Sequence, residues 1–74
     1  MMFITAWRHR AILKKGVVVW NDWREKNPDV VPWLRGANLN WEDLSGANLK
    51  NANLEKASLE KATLEDASLP MTAY

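Results

Sequence analysis

A leucine stands at every fifth position from Leu34 onward: Leu34, Leu39, Leu44, Leu49, Leu54, Leu59, Leu64 and Leu69. Six of them are preceded two residues earlier by alanine: Ala37, Ala47, Ala52, Ala57, Ala62 and Ala67. A five-residue period fits neither the 3.6-residue turn of a helix nor the two-residue alternation of a strand. It marks a solenoid, in which each short unit buries its apolar residue against its neighbours alone.

The residues before Leu34 follow a different rhythm. Residues 3–15 are rich in helix formers, with Phe3, Trp7 and Ala11 at four-residue spacing, and Lys14 and Lys15 placed to complement a helix C-terminus. Gly16 is a candidate cap for that helix. Over residues 17–27 the valines favour strand, yet Trp20, Trp23, Arg24 and Asn27 share one helical face. A second helix is therefore expected, ended by Asn27-Pro28-Asp29. Pro32 then holds the chain extended as it enters the repeats.

Written in fives, residues 32–71 read PWLRG, ANLNW, EDLSG, ANLKN, ANLEK, ASLEK, ATLED and ASLPM. This A-(N/D/S/T)-L-x-x pattern resembles the pentapeptide-repeat family. The preceding Gly16-Val17, Trp20-Asn21-x-Trp23-Arg24 and Asn27-Pro28 resemble the helical lead-in of cyanobacterial members. The resemblance implies an all-β solenoid: a right-handed quadrilateral β-helix with four pentapeptides per coil, so about two coils, behind an N-terminal α-helical cap. The division expected is a helical segment and cap over 1–31 and the repeat β-helix over 32–74. Leucine and the alanine before it would point inward, a large and a small side chain filling a narrow tube. Asn, Ser and Thr before each leucine suit tight turns, where they bond nearby backbone.

Four units per coil place residues twenty apart on one another, Leu34 on Leu54 through Leu49 on Leu69, with Tyr74 above Leu54. Outside, Arg35 would pair with Glu55, and Trp41 would lie over Lys61. One unit breaks the pattern, because Glu42 occupies an inward alanine site. A carboxylate there needs a solvent opening or a donor, and Arg24 or a backbone N–H is the candidate.

Composition removes most chemistry. There is no cysteine, and His9 is the single histidine, which excludes thiolate or His-rich metal sites and histidine-dependent nucleophile systems. His9 itself reads as polar surface. The close carboxylate pairs, Glu42-Asp43 and Glu65-Asp66, are sequence neighbours rather than groups facing across a cleft. The chain is thus not expected to be an enzyme, and no cofactor, metal or small-molecule substrate is implied. The longest apolar run, Val17–Trp20, is far too short to cross a membrane. No signal peptide is evident, so a cytoplasmic location is expected, with peripheral membrane contact as the variant.

Net charge is +1, but residues 1–36 hold seven Lys/Arg against three Asp/Glu, and residues 37–74 three against six. Two coils make a slab only about 10 Å thick, and a solenoid end left open exposes apolar side chains and unpaired backbone. Trp20, Trp23 and Trp33 are assigned to a cap at the N-terminal end. At the other end only Pro70, Met71 and Tyr74 are in place. A non-enzymatic protein-interaction module follows, a small scaffold or accessory subunit. Its candidate contact residues are Trp7, Arg8, Arg10, Lys14, Lys15, Trp41, Met71 and Tyr74, and its candidate partners are a larger protein complex or a second copy stacked on the open end. A membrane-surface accessory role, anchored through residues 3–15, is the alternative. A DNA-mimicking topoisomerase binder is the third reading. Length and the lysines Lys50, Lys56 and Lys61 count against it, as charge counts against nucleic acid as a partner.

Overall fold

The computed structural model describes residues 2–71, with side chains from Trp7 onward. Helix α1 spans Met2–Lys14 and helix α2 spans Val17–Lys26. Gly16 separates them at φ +114°, a conformation open to glycine and costly for other residues, and its N–H closes α1 by bonding the Leu13 carbonyl at 3.0 Å. Asn27 ends α2, its backbone N–H and its Nδ2 both donating to the Trp23 carbonyl, and Pro28 forbids another turn.

From Pro32 the chain makes two stacked courses, residues 32–51 above and 52–71 below. Isolated parallel bridges join Trp33 to Asn53, Asn38 to Ser58, Asp43 to Thr63 and Asn48 to Ser68. At each, the N–H of the upper leucine (Leu34, Leu39, Leu44, Leu49) donates downward to the lower bridge residue's carbonyl. The lower N–H donates upward to Pro32, Ala37, Glu42 or Ala47. The twenty-residue register predicted from four units per coil is therefore present. Tyr74, expected above Leu54, lies outside the described residues.

Between bridges the chain turns every five residues. The N–H of Ala37 bonds the Leu34 carbonyl, and the same contact repeats down to Ala67 and Leu64. The third residue of each turn has positive φ: Gly36, Trp41, Gly46, Asn51, Lys56, Lys61 and Asp66, all between 60° and 74°. A type II turn requires that conformation. Asn38, Asp43, Asn48 and Asn53 each accept, through Oδ1, the N–H two residues on, as expected of turn-forming side chains.

The balance of secondary structure differs from the all-β expectation. The two helices are the only extended elements, and the repeats contribute single-residue bridges without a sheet among the described residues. The reason is geometric: so few residues separate successive corners that pairing ends before a strand can extend.

The core runs through the upper course. Leu34, Leu39, Leu44 and Leu49 are buried, as are Ala37 and Ala47, and Leu13 and Trp20 join them from the helices. Burial then decays downward: Leu54 is buried, Leu59 and Leu64 are half-buried, and Leu69 is 38% exposed.

Candidate functional site

The two helices lie over the upper course and occupy the place of a missing coil. In the lower course each bridge residue sends its N–H to the course above. In the upper course two of the four equivalent atoms meet side chains of α1 and α2 instead. The Trp33 N–H donates to His9 Nδ1 at 2.8 Å, and the Asn48 N–H to Asn21 Oδ1 at 2.7 Å. Upper carbonyls are met as well. Trp20 Nε1 donates to Asn48 at 2.8 Å, Asn21 Nδ2 to Gly46 at 3.0 Å, and Lys14 Nζ to Asn38 at 3.2 Å. Arg10 and Arg24 donate through Nη2 to the carbonyls of Arg35 and Lys50.

Trp20, assigned to the cap, is buried and donates to the upper course, and Trp23 packs beside it with ring centroids 5.2 Å apart. Trp33 plays a different part. It is a half-buried bridge residue of the repeats and meets the cap through its backbone.

His9 corrects the surface reading. It is 5% exposed and packs 4.8 Å from Trp23. Burial, aided by Arg8 and Arg24, holds its pKa below the usual imidazole value, which keeps Nδ1 free to accept. A lone histidine among arginines gave no signal of this, because the partner is a backbone N–H twenty-four residues away. The packed side of α1 is likewise not the Trp7–Ala11 stripe. His9, Leu13 and Ile12 face the core, and Trp7 is 70% exposed.

Glu42 finds its donor in Lys14, with Nζ 3.0 Å from Oε2, and not in Arg24. Arg24 is itself buried and spans the Val30 and Lys50 carbonyls, which pins the α2-to-repeat connection. The Arg35–Glu55 pair forms as expected at 3.0 Å on the surface.

Of the candidate contact residues, Arg10 and Lys14 are thus engaged within the molecule. Trp7, Arg8, Lys15, Trp41 and Met71 are exposed, and Tyr74 lies outside the described residues. No helix is long and apolar enough to cross a membrane, and the described residues hold no group of three or more His, Asp or Glu placed for a metal.

Among the described residues the lower edge has no counterpart to the helices. The N–H groups of Leu54, Leu59 and Leu64, equivalent to the paired ones of Leu34, Leu39 and Leu44, have no acceptor among the described residues.

No curated protein and no solved structure matches the chain. The family model for pentapeptide repeats matches residues 34–69 in eight copies, the same stretch that carries the bridges and turns. Members of that family are in general interaction or scaffold-like modules without enzymatic activity. The chain is a pentapeptide-repeat protein.

Proposed function

We propose that this chain is a non-enzymatic protein-interaction module, a small scaffold or accessory subunit that docks through the open end of its repeats. On this reading residues 32–74 are two coils of a right-handed quadrilateral β-helix, and residues 1–31 are its lead-in and cap. The carrying observation is the difference between the two ends. The upper end has its backbone met by His9, Asn21, Trp20 and two arginines, whereas at the lower end the N–H groups of Leu59 and Leu64, both half-buried, have no acceptor among the described residues. Unpaired edges next to apolar side chains favour docking.

The corners restrict what fits there. A straight strand can follow one side of the lower course and then diverges at the turn. A partner that covers the whole end must itself turn every five residues, as a second copy does. Because helices occupy the other end, two copies meeting open end to open end leave no further edge, and assembly stops at a closed dimer rather than a fibre.

Light scattering of the full chain across a concentration series tests the proposal. A dimer is expected, reverting to monomer in Leu64→Lys with helical content unchanged. A monomer at every concentration that also fails to bind an apolar dye removes the open end as a docking surface.

A further inference from the structure

On the capped side, between α1 and the segment Ala37–Trp41, lies a cleft of about 490 Å³ bordered by Arg10, Lys14, Asn38, Asn40 and Trp41. We propose that this cleft is a second binding site, which takes a carboxylate from an acidic side chain of a partner protein, with an apolar neighbour of that side chain resting on Trp41. It is separate from the open end of the repeats and does not depend on it.

The cap is incomplete at this point. Trp33 and Asn48, two of the four upper bridge residues, have their N–H groups accepted by His9 and Asn21. The N–H groups of the other two, Asn38 and Asp43, have no acceptor among the described residues, and of these Asn38 is the one that borders the cleft. Its counterpart one course below, Ser58, donates to Ala37 at 2.9 Å. Asn38 therefore presents a donor at the spot where every stacked course supplies an oxygen.

Cationic donors surround that spot. The Lys14 side chain is about half exposed while its Nζ holds Asn38 and Glu42. Among the described residues Arg10 donates through Nη2 alone, to the Arg35 carbonyl, and its Nε is buried without a partner there. A guanidinium has five N–H donors and no acceptor, so an oxygen brought by a ligand is the atom type Arg10 can take up. Arg10 and Lys14 against Glu42 leave one unit of positive charge, which matches a single carboxylate better than a phosphate dianion.

Trp41 supplies the wall. It is 77% exposed and sits at φ 67°, in the turn position that Gly36, Gly46, Asn51, Lys56, Lys61 and Asp66 hold elsewhere, and it is the largest side chain of the seven. A left-handed conformation is costly for a large side chain, and so exposed an indole recovers little by packing. Contact with a partner accounts for a tryptophan here, as aromatic rings serve as anchors at interfaces.

The test is an amide-resolved NMR titration of the full chain with the peptide acetyl-Gly-Leu-Glu-Leu-Gly-amide. Its glutamine analogue, inorganic phosphate and anionic phosphatidylserine vesicles serve as separate arms. Expected are shifts of the Asn38 amide and the Trp41 indole N–H with the glutamate peptide, absent with glutamine. A contact of this size is expected near a ~1 mM dissociation constant. Trp41→Gly, at an exposed turn position, and Lys14→Met should each weaken binding about tenfold. The proposal is overturned by silence at about 5 mM peptide, well past that constant. It is also overturned if the glutamine analogue or phosphate gives the same shifts, if vesicles alone do so, or if both variants titrate like the parent chain.

Discussion

The Nδ1 atom of His9 accepts the backbone N–H of Trp33 across 2.8 Å, so one imidazole nitrogen stands in for the carbonyl of an absent coil. The contact needs the neutral ring, since a protonated Nδ1 is a donor and would face another donor. Burial and the nearby Arg8 and Arg24 lower the pKa of His9 from 6.5. The unfolded chain thus takes up a proton before the folded one does. This contribution to stability is complete above the unfolded value. It diminishes below pH 6.5 and is lost as pH falls through the depressed folded value. Urea unfolding at pH 8 and pH 5 should show a lower midpoint at pH 5. His9→Asn, which keeps an acceptor oxygen near Nδ1, should flatten that dependence. His9→Leu should cost about 1–3 kcal/mol at pH 8 by leaving the Trp33 N–H unpaired.

Glu42 and Lys14 form a further tie between helix and repeats, and its worth is small. Both side chains are partly exposed, at 33% and 49%, so a double-mutant cycle should give a coupling of about 1 kcal/mol or less. Glu42→Ala restores the small residue found at Ala37 and Ala47 and should leave stability within about 0.5 kcal/mol of the parent. A loss of several kcal/mol would show that the carboxylate has a structural role beyond this pair.

The turn ladder makes an opposite pair of predictions. Gly46 sits at φ 74° with nothing within 4 Å of where a Cβ would stand. Gly46→Ala therefore tests backbone conformation alone and should destabilise by about 1 kcal/mol. Trp41→Gly occupies the equivalent corner and should stabilise by a similar amount, about 1 kcal/mol, in thermal unfolding. A loss of stability in Trp41→Gly would instead mean that the indole packs against the chain in solution.

Much of this molecule was legible in the spacing of its residues. The leucine period of five set the register, and the Arg35–Glu55 pair followed from counting twenty. The Trp20, Trp23, Arg24 and Asn27 face identified α2 despite its valines, because helical periodicity outlasted local strand preference. What stayed hidden involves the meeting of helices and repeats. Which side of α1 packs depends on how it crosses the upper course, and no periodicity within thirteen residues encodes that crossing. His9, Arg10, Lys14 and Arg24 act on backbone atoms twenty-four or more residues away, and backbone atoms carry no sequence signature. The Trp41 cleft was half legible: the outward tryptophan could be placed, while the lysine and arginine beside it came only with the docking of α1.

The leucines themselves give the sharpest test of the two-ended arrangement, since eight chemically identical residues differ in depth. Leu39 and Leu44 are enclosed by the helices above and a course below, at 0% and 1% exposure. Replacement of either by alanine should cost about 2–5 kcal/mol, enough to unfold a chain this small at moderate temperature. Leu69 is 38% exposed, and Leu69→Ala should cost about 1 kcal/mol or less, because its surroundings can collapse or are already solvent. Leu59 and Leu64, half-buried, should fall between. Circular dichroism melts of the single variants check the order. If a partner covers the open end, the gradient should flatten in its presence, with Leu64→Ala and Leu69→Ala becoming as costly as Leu44→Ala. An equal cost at all positions in the isolated chain would mean that the lower course is already covered.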